Sequence, residues 1–245
     1  MKANKRPDRT TSPAEGEPPA PGAGPAPEDC LAPTYFLDYE DPAVQSFVAA
    51  HTDPAGDAKS NAVRLYFAVR DGLRYNPYKV SLDHDAYRIS RVVGLKQSYC
   101  IPKAMLFAGV CRAIGAPARL GFGDVKNHLS SERLIDFLGT DLFAYHGYAE
   151  VFLNDRWVQA TPAFDRRLCG KFGVAPLDFD GEADSLFQEF DGDGQKFMEY
   201  VNYHGTSADL PFQWLMRGMT AAYPKVFASQ RPGVIELDGD LMNES

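Results

Sequence analysis

Lys96-Gln97-Ser98-Tyr99-Cys100-Ile101-Pro102-Lys103-Ala104-Met105-Leu106 is the stretch on which both the fold and the chemistry turn. Its first four residues are polar and irregular. From Cys100 an apolar helical spacing begins and continues through Met105, Leu106, Val110 and Ile114. That spacing predicts a helix opening at Cys100 and stopping at Gly115, with Pro117 preventing its continuation. The first backbone N–H groups of a helix lack intrahelical partners and carry partial positive charge. A thiol at that end is biased towards thiolate, the form that attacks a carbonyl carbon. Lys103, one turn on, is expected to push the same way.

Either side of this helix the pattern changes character. Upstream, Asp41-Pro42 is a cap and first-turn pair for a helix through Val44, Phe47 and Val48. A second helix is expected over 57–71, with Ala62, Val63, Tyr66, Phe67 and Val69 on its apolar side and Gly72 as its stop. A turn at 75–78 and a short helical stretch over 85–93 lead to Cys100. Downstream, Ala118, Leu120 and Phe122 alternate with Arg119, Gly121 and Gly123, the period of a strand. Ser130 or Ser131 caps a short helix through Leu134 and Phe137. Two β-rich runs, 143–153 and 157–161, are joined by Asn154-Asp155-Arg156 and read as a hairpin. Residues after 161 read as acidic and irregular to about Asp193, then helical over 197–203 and 212–223. Helices followed by an antiparallel hairpin sheet give an α+β class, in which a helical N-terminal half packs its nucleophile helix on the sheet.

The bulk numbers narrow the function. A chain of 245 residues, 44% hydrophobic and 24% charged, fits one domain, expected over 34–245. Residues 1–33 are Pro, Ala, Gly, Ser and charge, and read as a disordered arm. A net charge of -8 and a pI near 5.1 argue against nucleic acid or an anionic membrane as partner. No apolar run approaches the about 20 residues needed to cross a bilayer, and the N-terminus lacks the apolar core of a secretory signal. Cys30, Cys100, Cys111 and Cys169 are widely spaced without a Cys-x-x-Cys pair, so neither a disulfide scaffold nor a zinc site is expected, nor any other cofactor or metal. A reducing cytoplasm is the simplest home for such thiols. The run Asp178-Phe179-Asp180-Gly181-Glu182-Ala183-Asp184, with Glu189 beyond, echoes a calcium loop but places Ala183 where the turn demands Gly, so it reads as a solvated acidic loop.

The second half of the chemical signal is His146-Gly147-Tyr148-Ala149-Glu150, followed by Trp157-Val158-Gln159-Ala160-Thr161-Pro162. With Cys100-Ile101-Pro102-Lys103-Ala104, these elements in this order resemble the transglutaminase-like superfamily in its compact bacterial form. The helix-to-strand crossing Arg112-Ala113-Ile114-Gly115-Ala116-Pro117-Ala118-Arg119 fits the same pattern, so the resemblance covers about residues 61–165. It implies a transglutaminase/papain-like core with Cys100 as nucleophile and His146 as base. It also implies a covalent acyl-enzyme formed on a peptide, a protein amide or an acyl thioester, resolved by water or an amine.

Two departures from the family pattern stand out. Ser98-Tyr99 replaces the Gly usually found near the Cys, and the family's Asp, which hydrogen-bonds the imidazole, falls on Thr161. Thr161 and Asp165, four positions on, are therefore both candidates for that third group. Asn127 is a rival, because papain-like enzymes use an Asn there. The Cys100 N–H and the Gln97 side chain are candidate oxyanion donors. Cys111 reads as core, Cys169 as structural, and Glu150 as a salt-bridge partner. His128 reads as a loop residue beside Asn127, and His51, His84 and His204 as surface or packing residues. The missing Asp also motivates an alternative, a catalytically lapsed domain acting as a binding or scaffold module.

Overall fold

The computed structural model describes residues 19, 22, 24–127, 131–186, 198–228 and 239–243. His128, Ser130 and Glu189 lie outside the described residues, as does the side chain of Asn127.

Two capped helices come first. In α1 (Pro42–His51) the Asp41 carboxylate accepts from the Ala43 N–H at 2.9 Å. In α2 (Ala58–Gly72) Asp57 accepts from the Ser60 N–H at 2.7 Å. The chain then passes through β1 (Arg74–Tyr75), a 3-10 turn at His84–Tyr87, α3 (Ile89–Val92) and β2 (Gln97–Ser98). β1 and β2 form a parallel pair, Arg74 opposite Gln97 and Tyr75 opposite Ser98, which fixes the approach to the next element. That element, α4 (Cys100–Ala113), is buried from Cys100 through Arg112. A helix apolar all round must have neighbours on every side, and α4 packs against α2, α3, β3 and β4.

The sheet carries four antiparallel strands in the order β5-β4-β3-β6, with β3 at Ala118–Asn127, β4 at Leu142–Leu153, β5 at Arg156–Ala160 and β6 at Met198–Ser207. Asn154 and Asp155 connect β4 to β5 with φ of 50° and 61°, the paired left-handed conformation that matches the twist of a hairpin. α5 (Glu132–Leu138), capped by Ser131, and α6 (Arg166–Phe172) lie in the connections, and α7 (Phe212–Ala222) and α8 (Pro224–Ala228) follow the sheet. The class is α+β, as the sequence indicates.

Two expectations are corrected. Residues 197–203 do not form a helix: from Met198 they belong to the edge strand β6. The end of the N-terminal arm is also placed against the fold. Pro27–Cys30 form a 3-10 turn with Cys30 fully buried, Arg112 donates to the Ala32 carbonyl at 2.8 Å, and Arg119 donates to the Pro25 carbonyl at 2.7 Å. Two buried guanidinium groups need acceptors, and the backbone of 25–32 supplies some of them.

Candidate active site

Cys100 is the first residue of α4, after an extended Tyr99 that offers no side-chain cap. The first-turn N–H groups are therefore free to face the thiol. The N–H groups of Gly147, Ile101 and Cys100 all favour the thiolate, but burial outweighs them and pushes the thiol up to about 11. The rest state is a neutral thiol.

Gly147 explains how a strand reaches that sulfur. A Cβ at this position would sit 2.9 Å from Ile101 Cγ1 and 3.0 Å from Ile101 Cα. Only glycine lets β4 come this close to the first turn of α4, so its N–H can address Cys100. Sequence reasoning passed over this residue, although an isolated glycine inside a strand is a signal of close backbone approach.

His146 precedes it and lines the same cavity as Cys100, a pocket of about 60 Å³ walled by Tyr75, Tyr99, Phe143, Met219 and Tyr223. Burial alone pushes its imidazole down to about 4. The residue before it, Tyr145, has φ of 60°. Its N–H donates to Asp124 Oδ1 at 3.0 Å, the same oxygen that lies 2.8 Å from His204 Nε2, and its ring stacks on His204 at 4.8 Å. Asp124 falls at a register shift of β3 against β4, so a bulge and a left-handed residue together set the aim of His146. His204 thus has a partner that sequence reasoning did not assign.

Thr161 lies across a second, smaller cavity from the imidazole. Both residues line this cavity of about 10 Å³ with Ala163, Phe164 and Met198. His146 Nε2 is buried without a hydrogen-bond partner among the described residues, whereas the Thr161 side chain interacts with the hydroxyl of Tyr200, whose ring stands edge-on to the imidazole at 6.2 Å. The Thr161 backbone is fixed, its N–H donating to the Ser185 carbonyl at 2.8 Å and its carbonyl accepting from Tyr66 Oη at 3.1 Å.

The other candidates are placed elsewhere. Asp165 caps α6, with Oδ1 accepting from the Arg167 and Leu168 N–H groups at 3.1 and 3.2 Å and Oδ2 from the Tyr75 N–H at 2.8 Å; it lines neither cavity. Its role as the orienting group is therefore corrected to a helix cap that ties β1 to α6. Lys103 is also corrected. Its Nζ donates to the carbonyls of Arg70 (2.8 Å) and Leu73 at the end of α2, away from the thiol, and burial brings it down to about 7. Gln97 accepts from Asn76 Nδ2 at 3.2 Å and faces a different cleft. Glu150 forms a buried ion pair with Arg119 at 2.6 Å, and Arg119 lies over the Trp157 ring at 4.0 Å. Cys111 and Cys169 are buried, and burial raises both thiols. In the acidic loop, Asp180 accepts from the Glu182 and Ala183 N–H groups, and Lys59 pairs with Glu182 at 2.6 Å. Among the described residues no cluster of His, Cys, Asp or Glu could hold a metal ion, and no helix is long and apolar enough to cross a membrane.

Residues 44–162 match the sequence profile of the transglutaminase-like superfamily, and this segment holds Cys100, His146 and Thr161. This part of the chain belongs to the transglutaminase-like superfamily. No curated protein matches the chain. One matching solved structure is a candidate cysteine protease from Cytophaga hutchinsonii, at 14% identity and a TM-score of 0.41. The match covers 54% of this chain and 40% of that protein, an overlap too small to inform the chemistry.

Proposed function

We propose that the protein is a thiol-dependent enzyme that transfers or hydrolyses an acyl group through a Cys100 acyl-enzyme. The observation that supports this most directly is that Cys100 and His146, from different elements, line one cavity, with the Gly147 N–H directed at the sulfur. His146, neutral at rest, takes the thiol proton as sulfur bonds to the carbonyl carbon and the carbonyl electron pair moves to oxygen. Because burial disfavours both thiolate and imidazolium, proton transfer and attack occur in step. The N–H groups of Cys100 and Gly147 supply donors for the oxyanion. Collapse expels the amine or thiol with the proton from His146, and water or an amine then takes the acyl group. Thr161 serves as the third group. The cavity it shares with His146 is the size of a single water, which would carry the hydrogen bond from Nε2 to Oγ1. Peptide or protein amides and acyl thioesters are the substrate classes that suit this chemistry.

A lapsed, ligand-binding domain is the second reading, favoured by the neutral hydroxyl at Thr161, which stabilises an imidazolium less than a carboxylate would. Limiting iodoacetamide separates the two. The enzyme should be alkylated at Cys100 ahead of Cys111 and Cys169, should lose that label in Cys100→Ala, and should be labelled more slowly in His146→Ala. Equal labelling of Cys100→Ala would remove the nucleophile.

A further inference from the structure

Beside the thiol pocket lies a much larger cleft of about 800 Å³ that the proposed chemistry leaves unused. The two share Tyr99 and Val80 as a common wall, so a ligand in the cleft lies next to the entrance of α4. Tyr99 is held in that wall by its hydroxyl, 2.6 Å from the Tyr87 hydroxyl.

The charges around the cleft are not balanced in kind. Lys79, Arg91 and Lys96 line it from three separate segments, are exposed, and form no ion pair with a carboxylate among the described residues. The two carboxylates in the lining keep their charge but are hydrogen-bonded locally. Asp83 accepts from the Asp85 N–H at 3.0 Å as the cap of the 3-10 turn, and Asp85 accepts from the Tyr35 hydroxyl and lies 3.2 Å from His84 Nδ1. With Asp83 and Asp85 also in the lining, the cleft carries one net positive charge, the opposite sign to the chain's net charge of -8, and its three cations are free of ion pairs among the described residues.

We propose that this cleft binds an anionic portion of the acyl donor, carboxylate or phosphate, while the reactive carbonyl lies across the Tyr99–Val80 wall at Cys100. This rests on the Cys100 reading for the word donor, but the anion site itself stands on the cleft. The smaller pocket is apolar and suits the acyl group, so the two cavities together select a donor with an apolar acyl end and a charged tail.

The test uses full-length Cys100→Ala protein, in which no chemistry can occur, and isothermal titration with triglutamate, inorganic pyrophosphate and, as a neutral control, trialanine. At least one anion should bind where trialanine does not. The combined variant Lys79→Gln, Arg91→Gln and Lys96→Gln, exposed positions outside the thiol pocket, should weaken that binding at least tenfold. Raising salt should weaken it in the parent and hardly at all in the triple variant. Preference for triglutamate assigns peptide carboxylates, and preference for pyrophosphate assigns a phosphorylated donor. Failure of both anions to bind at millimolar concentration, or binding unchanged in the triple variant, would overturn the anion site. Iodoacetamide labelling of the wild-type thiol is read separately, so an inert Cys100 counts against the catalytic reading and not against the cleft.

Discussion

Four residues apart on one face of β4, two buried ionisable side chains are treated in opposite ways. Glu150 is satisfied on both oxygens: Oε2 takes Arg119 at 2.6 Å and Oε1 takes Gln159 Nε2 at 2.9 Å, while the guanidinium is closed over by Trp157. His146 is as deeply buried, yet its Nε2 has no partner among the described residues. A buried polar group left unpaired costs free energy that folding gains nothing from. On the proposed mechanism, the unpaired imidazole is the reacting group of this strand and the paired carboxylate is architecture.

The contrast breaks first under mutation of the paired end. Arg119→Met leaves a buried carboxylate uncompensated and should cost about 3–5 kcal/mol in urea denaturation. The conservative His146→Gln should cost far less at neutral pH, because it removes a group that burial already disfavours when charged. Equal losses for the two variants would mean that both ends are architecture.

His146 should instead reveal itself in acid. Its folded value of about 4 lies below its ordinary 6.5, so between these limits the unfolded chain binds more protons. Stability is therefore full above pH 6.5, falls as pH drops towards 4, and then levels, a loss on the order of 3 kcal/mol. In His146→Gln this part of the acid slope should vanish. A slope that persists unchanged would place the titration elsewhere.

Much of this contrast was legible in the sequence. The α4 spacing and the Asn154-Asp155 turn rest on local periodicity and turn chemistry, which a single chain displays, and the pairing of Cys100 with His146 rests on the family resemblance. Residues 197–203 misled because Phe197 with Val201 and Met198 with Val201 imitate helical spacing. β6 is an edge strand with register shifts against β3, and an edge that leaves Val201 and Tyr203 more than half exposed has little reason to alternate. Lys103 misled for a different reason. It sits three residues from Cys100, but the carbonyls at the end of α2 attract its ammonium group, and nothing local shows where another helix ends. Asp165 offered a carboxylate at a plausible distance, and the short helix it caps was too brief to announce itself by period.

The close approach of β4 and α4 gives the next effect. Gly147→Ala places a methyl group within 3.0 Å of the Ile101 backbone, and should cost about 1–3 kcal/mol as the elements move apart. Because the displaced group also carries the N–H facing Cys100, iodoacetamide labelling should slow as well. A stability loss with unchanged labelling would show that this N–H does not act on the sulfur.

The finest test exchanges the neutral hydroxyl for the charge that the family pattern places there. With burial holding the thiol near 11, alkylation of Cys100 should climb about tenfold per pH unit from 7 to 10 without a plateau, since the thiolate fraction does so. Thr161→Asp puts a carboxylate against His146 Nε2 and fills the small cavity between them. An opposite charge at that distance favours imidazolium, raises the imidazole, and through it stabilises the thiolate. Labelling at pH 7 should rise about tenfold, equivalent to about 1.4 kcal/mol, and the pH profile should flatten. If the profile keeps its slope, the carboxylate does not reach the imidazole, and Thr161 is not the third group. If it flattens, the difference between this protein and the carboxylate-bearing pattern lies in one side chain, and the neutral thiol at rest is a property set by Thr161 rather than by the fold.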